Sequence, residues 1–247
     1  MTTILVTGAT GTLGRCVTRR LRAGGGHEVR ELSRRSEQYP VDLLTGEGLA
    51  RALAGAEVVV HCATTPRGGA DAKAARLLID AARTAGVRHL VYISIVGIDH
   101  VPLGYYRTKL AVERLIEQSG LGHTILRTTQ FHDLALLFAR GLSKLPVALV
   151  PKGVRLQPVE VDEVAARLVD LALAEPVGRA PELGGPEALS LESLVRTYLR
   201  VSGRRRRVVR VHVPGRLFAA LRAGGLLTPG HAEGTRTFEE FAGRTAR

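Results

Sequence analysis

The sequence predicts an α/β protein: a doubly wound parallel sheet with a small C-terminal α/β lobe. Three observations lead there. In the first half, short and nearly continuous apolar runs alternate with amphipathic helical patterns, as in parallel strands covered on both faces. The first run ends in a glycine-rich turn that opens the first helical pattern. The chain has 247 residues and is 45% hydrophobic, enough to bury a sizeable core.

The elements follow in order. "TILVTG" (3–8) is an apolar strand closed by glycine. "LGRCVTRRLRAGG" (13–25) sets Leu13, Val17 and Leu21 at helical spacing, and glycines stop it. "HEVRELS" (27–33) is a second strand. "DLLT" (42–45) reads as a short third strand, with Thr45 as the cap of the helix "EGLARALAG". "EVVVHCA" (57–63) is a buried strand, "ADAKAARLLIDAARTAG" (70–86) an amphipathic helix, and "HLVYIS" (89–94) another strand. "YYRTKLAVERLIEQSG" (105–120) is a helix and "HTILRT" (123–128) a sixth strand. Beyond residue 135 the pattern loosens. "LPVALVPKG" reads as loop or short strand. "QPVEVDEVAARLVDLALAE" reads as strand then helix with Asp162 as N-cap, and "APELGGPEALSLESLVRTYLRVSG" repeats this with Ser190 as cap. "RRVVRVHVPGRLFAALRAGG" is a third such pair.

Composition narrows the classes. The net charge is +12, yet only four of the 35 basic residues are lysine (Lys73, Lys109, Lys144 and Lys152). A basic surface attracts anions, but aromatic residues make up 4% of the chain, too few for a base-stacking platform. No apolar run approaches the length of a membrane span, and the N-terminus lacks a secretory pattern. Cys16 and Cys62 have no metal-ligand spacing and are expected to be free thiols in a reducing cytoplasm. His61, His100 and His132 form no metal set with nearby acids and read as structural. The expected partner is a small molecule, rather than nucleic acid or a membrane.

"VTGATGTLGR" carries Gly8, Gly11 and Gly14 between the first strand and the first helix. The first glycine turns the chain, the second lets amides approach a pyrophosphate, and the third brings the helix close to the strand. Gly8, Thr10, Gly11, Thr12, Leu13 and Gly14 are therefore the candidate phosphate cradle. Nineteen residues beyond Gly14, where an NAD site places an acid on the ribose, stands Ser33, followed by Arg34 and Arg35. A guanidinium pairs with the 2′-phosphate of NADP, so the expected cofactor is NADP (NADPH) rather than NAD. Residues 1–150 are read as the NADP-binding core. Residues 151–247 are read as a part of the same domain that adds edge strands and a small substrate lobe at the carboxyl ends of the sheet.

"TGATGTLG", "LSRRS", "HCATTP", "YISIVGID", "YYRTK" and "ILRTTQFHD" resemble, in that order, the motifs of short-chain dehydrogenase/reductases. The glycine spacing, the "GATG" form and the later "QPVEVDEVA" and "LGGPEALS" resemble the atypical, NmrA-like branch. The resemblance implies a Rossmann fold. It sets Asp42 near the adenine, Ala63, Thr64 and Thr65 along the adenosine ribose and the path to the nicotinamide, and Thr128, Thr129 and Gln130 beside the nicotinamide. It also implies Tyr105 as proton donor, Lys109 on the nicotinamide ribose lowering the tyrosine pKa, and Ser94 steadying the substrate carbonyl. Ser94 precedes Tyr105 by eleven residues, short of the family spacing, and Val96 stands where many relatives hold the serine. Three functions remain open: an NADP-dependent oxidoreductase acting on a small carbonyl or enone compound, a non-enzymatic NADP-binding redox sensor, and an epimerase of an activated sugar with Arg204–Arg207 near a phosphate. Helices 70–86 and 105–119 pair between subunits in dimeric relatives. Here their outer faces are read as carrying Arg76, Arg83, Glu113, Arg114 and Glu117, so both monomer and homodimer stay open.

Overall fold

The apolar runs become strands because their β-branched side chains suit a sheet buried on both faces. A computed structural model describes residues 1–64 and 70–245. In chain order come β1 (Thr2–Thr7), α1 (Thr12–Gly24), β2 (His27–Leu32), α2 (Leu49–Leu53), β3 (Val58–His61), α3 (Ala70–Thr84), β4 (His89–Ile95), α4 (Gly104–Glu117) and β5 (His123–Thr128). There follow α5 (His132–Leu142), β6 (Val147–Pro151), β7 (Arg155–Leu156), α6 (Val161–Leu173), β8 (Gly178–Arg179) and β9 (Leu189–Ser190). Then come α7 (Leu191–Val201), β10 (Arg207–Val211), α8 (Arg216–Arg222) and α9 (Phe238–Thr245). Among the described residues no helix is long and apolar enough to cross a membrane.

The chain divides into two units, and it passes between them several times instead of once near residue 150. The first unit comprises residues 1–94, 104–127 and 161–181. It holds a six-stranded sheet in the order β2-β1-β3-β4-β5-β8. β1 pairs in parallel with both β2 and β3, so the strand order reverses at β1. In such sheets the carboxyl ends of the strands at the reversal form the ligand crevice. Leu5, Val59, Leu90 and Tyr92 face one helical layer and pack with Leu78, Ile79 and Ala82 of α3 and Val112 and Ile116 of α4. On α1, Leu13, Val17 and Leu21 are buried, and α1 packs against α6. Both faces of the sheet are thus covered, as predicted.

The second unit comprises residues 95–103, 128–160 and 182–247. Here β6 pairs in parallel with β10, and β7 pairs antiparallel with β9. Among the described residues, β8 alone of the later strands extends the main sheet. A buried amide network organises the unit. Gln157 donates through Nε2 to Gly185 O (2.8 Å) and Thr228 O (3.3 Å), and its Oε1 accepts from Thr228 N (2.8 Å).

Several local expectations are corrected. "DLLT" is a turn, because Asp42 Oδ1 accepts from Leu44 N at 2.9 Å and Asp42 O accepts from Thr45 N at 3.1 Å. The following helix starts at Leu49 with Gly48 as N-cap, so Thr45 does not cap it. Ser190 does cap α7, accepting from Ser193 N at 3.0 Å. Asp162 lies inside the first turn of α6, where it takes Arg19 (2.6 Å) and Arg20 (2.8 Å) from α1. Glu113 is not on an outer face. It is 0% exposed and meets Arg127 at 2.6 Å and Arg179 at 3.0 Å. Although burial opposes its charge, these cations hold its carboxyl below the usual range. A charge so buried is costly to leave unpaired. Glu113→Gln is expected to lower unfolding free energy by about 3 kcal/mol in denaturant titrations. Because the folded pKa is depressed, the contribution is present above the unfolded value of about 4.3 and fades as pH falls through the folded one. The variant should lack that acid-dependent component.

Candidate functional site

The turn from β1 into α1 has no room for side chains. Gly8 has φ +66°, and a Cβ there would lie 2.8 Å from the backbone of Ala63. A Cβ on Gly14 would lie 2.2 Å from Gly8 O. Gly11 N donates to Gly8 O at 2.9 Å, closing the turn. Gly11 is the N-cap of α1, no side chain caps that end, and its first turn holds no acid. The first amides of a helix have no intrahelical carbonyl to bond, and this end carries the positive pole of the dipole. Thr10, Gly11 and Thr12 are exposed there, while Leu13 and Gly14 are buried behind them. A bare glycine-built cradle of amides fits a pyrophosphate.

Ser33 follows β2, half-buried, and its Oγ accepts from Arg35 N at 3.2 Å. Arg34 and Arg35 are exposed, and among the described residues neither forms an ion pair. Glu31, on β2, is taken by Arg22 at 2.7 Å, and Glu37, two residues beyond Arg35, is exposed. The end of β2 therefore carries a serine followed by two exposed guanidinium groups, with Ser33 rather than an acid at the position nineteen residues beyond Gly14. Asp42 sits in the turn described above. Thr65 lies outside the described residues.

Beyond β3, Thr7 Oγ1 holds the chain by accepting from Ala63 N at 3.2 Å, and it also meets His61 Nδ1 at 2.7 Å. Thr64 Oγ1 donates to Asp71 Oδ2 at 2.6 Å and lies 2.9 Å from Tyr105 OH. Tyr105 thus faces Thr64 across the crevice end of the sheet. Lys109 turns inward. It is 3% exposed and donates to Tyr92 OH (3.0 Å) and Ile93 O (2.9 Å). Its ammonium stands 4.4 Å from the Tyr92 ring centroid. Burial lowers its pKa to about 8, with Asp71 the first of the charges that oppose the fall. Burial also lowers His61 to about 3 and raises Cys62 to about 12, so both are neutral near pH 7.

For Tyr105 the direction is opposite to that expected of a lysine at i+4. Burial raises its pKa, the hydrogen bond with Thr64 works against the rise, and the Asp71 carboxylate adds to it. The phenol therefore keeps its proton at neutral pH. Ser94 is 1% exposed and shares a strand face with Tyr92. Its Oγ lies beside Glu113, outside regular hydrogen-bond geometry. The structure brings Tyr105 together with Thr64 and Asp71, and Lys109 together with Tyr92; Ser94 packs toward Glu113.

Thr128, Thr129 and Gln130 belong to the second unit. Thr128 O accepts from Val96 N at 2.9 Å. Thr129 Oγ1 donates to Gln157 O, and Gln130 Nε2 donates to Leu226 O at 3.3 Å. The sequence reading missed Asp71 and Tyr92. Asp71 in the first turn of α3 looks like an ordinary helix-dipole acid, whereas Tyr92, two residues before Ser94, was findable from strand alternation.

Residues 8–172 match the family model described as NAD(P)H-binding. The chain belongs to this NAD(P)H-binding family. It is 32% identical over 217 residues to the (4-alkanoyl-5-oxo-2,5-dihydrofuran-3-yl)methyl phosphate reductase of Streptomyces griseus, covering 81% of this chain and 74% of that one. It is 28% identical over 233 residues to photosystem II assembly factor Ycf39 of Cyanophora paradoxa, covering 85% and 72%. Its fold matches that of an NADPH-dependent quinone oxidoreductase of Escherichia coli complexed with NADPH, with a TM-score of 0.83 over 99% and 100% of the chains at 22% identity. At that identity the likeness is one of fold.

For an NAD(P)H-binding protein built this way, Gly14→Ala is decisive. The added methyl cannot coexist with Gly8 O at 2.2 Å, so β1 and α1 must part. Fluorescence titration should show NADPH binding weakened by at least about 100-fold.

Proposed function

We propose that the protein is an NADPH-dependent reductase that passes hydride to a small carbonyl or enone compound. The observation that carries this reading is the phenol of Tyr105, kept protonated and held by Thr64 at the carboxyl end of the central strands, where the glycine cradle also lies. The family membership and the reductase names among the relatives support it. Bound nicotinamide would supply the hydride. The cradle amides would hold the pyrophosphate, and Arg34 and Arg35 the 2′-phosphate that distinguishes NADPH from NADH. Tyr105 would give its proton to the substrate oxygen as the carbonyl carbon accepts hydride. Lys109, with a pKa of about 8, stays charged at neutral pH and would support the nicotinamide ribose after leaving Ile93 O. Ala63 would border the path to the nicotinamide, and Asp42 the adenine. The protein would work in the cytoplasm, as monomer or homodimer.

A second reading, a non-enzymatic NADP-binding regulator, draws on the similarity to an assembly factor and on the burial of Ser94. NADPH consumption across ketones, enones and quinones separates the two. Tyr105→Phe should lower kcat by roughly 100-fold on the best substrate. Silence from wild type and variant alike, with NADPH still bound tightly, would remove the enzyme reading. Arg34→Ala combined with Arg35→Ala should weaken NADPH by about 10- to 100-fold and leave NADH nearly unchanged, by titration calorimetry.

A further inference from the structure

We propose that Thr64 and Asp71 are positioning residues for Tyr105: the Asp71 carboxylate fixes the Thr64 hydroxyl, and that hydroxyl fixes the phenol oxygen that delivers the proton. This rests on the reductase reading of Tyr105. Thr64 has a single O–H, and it points to Asp71 Oδ2 at 2.6 Å. Its oxygen therefore meets Tyr105 OH, 2.9 Å away, as an acceptor. The three residues come from three places: the segment after β3, the first turn of α3 and the first turn of α4. Asp71 is 8% exposed, whereas Tyr105 is half-buried. The line is anchored at its inner end and open to solvent at its outer end.

A tyrosine in the first turn of a helix otherwise has freedom about its side-chain torsions, and positional error at the reacting centre is expensive. The bond to Thr64 removes that freedom. Transfer then needs only a swing of the hydroxyl about the C–O bond. The Tyr105 O–H bond would break as an O–H bond forms on the substrate oxygen, and hydride supplied by bound reduced nicotinamide would close a C–H bond on the carbonyl carbon. The carbonyl would be reduced by two electrons, the nicotinamide oxidised by two, and solvent would return the proton to Tyr105. The titratable groups around the phenol are Asp71 from α3, Tyr92 from β4 and Tyr106 beside it on α4, the Tyr105 and Tyr106 ring centroids being 6.2 Å apart. Lys109 of the same helix is turned to Tyr92. Among these, Asp71 supplies the negative charge that disfavours phenolate.

Asp71→Asn keeps the shape and removes the charge. Ultraviolet titration of tyrosinate in the cofactor-free protein, with Tyr105→Phe subtracted, should show the Tyr105 pKa lowered. The alkaline limb of kcat should move to lower pH with it, because that limb needs the protonated phenol. At neutral pH kcat should fall roughly 10- to 100-fold with the KM for NADPH held. Thr64→Val should cost a similar factor, Thr64→Ser should restore it, and the Thr64→Val/Asp71→Asn double variant should be no worse than either single one. Asp80→Asn, exposed on the same helix, should change none of these. An unshifted Tyr105 titration in Asp71→Asn, or single losses that multiply in the double variant, would overturn the inference. A shifted titration in a protein that turns over no carbonyl would overturn the reductase reading and leave the Asp71–Thr64–Tyr105 coupling standing.

Discussion

A side chain at position 14 would stand 2.2 Å from the carbonyl oxygen of Gly8, and one at position 8 would stand 2.8 Å from the backbone of Ala63. Three pieces of backbone are therefore pressed together: the end of β1, the start of α1 and the segment after β3. Close approach exposes the first amides of α1 without a cap, and it happens where the strand order reverses around β1. The anion site and the crevice share one origin. The residues after β3 are fixed to β1 through Thr7, so Thr64 is held by the constraint that builds the cradle.

Charge inside the first unit is arranged along α4. Tyr105, Lys109 and Glu113 succeed one another at i+4 and share a face of the helix. Tyr105, at the start of the helix, meets the Thr64 hydroxyl. Lys109 is buried on Tyr92 and a strand carbonyl. Glu113, buried deepest, is matched by two arginines. One stripe grades from a half-buried phenol to a buried carboxylate held by two arginines. Desolvation sets the direction for each: it lowers the lysine, raises the tyrosine, and is overcome for the glutamate by its arginines.

Much of the arrangement was legible where sterics or periodicity leave one choice. Glycines at a strand-to-helix turn announce the cradle, and a serine ahead of an apolar helix announces the cap at Ser190. Errors arose where a residue's type outweighed its position. Glu113 was assigned to the surface for its charge, although the spacing from Lys109 already set it on the buried face. "DLLT" looked extended for its leucines, but an aspartate that bonds the amide two residues on makes a turn. Asp162 looked like a cap and instead neutralises arginines of α1, which are distant in sequence and invisible to a local pattern. Asp71 escaped for the same reason: its meaning depends on Thr64 and Tyr105 arriving from other elements.

On the proposed function, the glycine cradle and the arginines at 34 and 35 make one NADPH site per chain. Calorimetric titration of the wild-type protein with NADPH and with NADH tests it most directly. One site is expected, with NADPH bound at least about 10-fold more tightly than NADH. Equal affinities, or no heat with either cofactor, would contradict it.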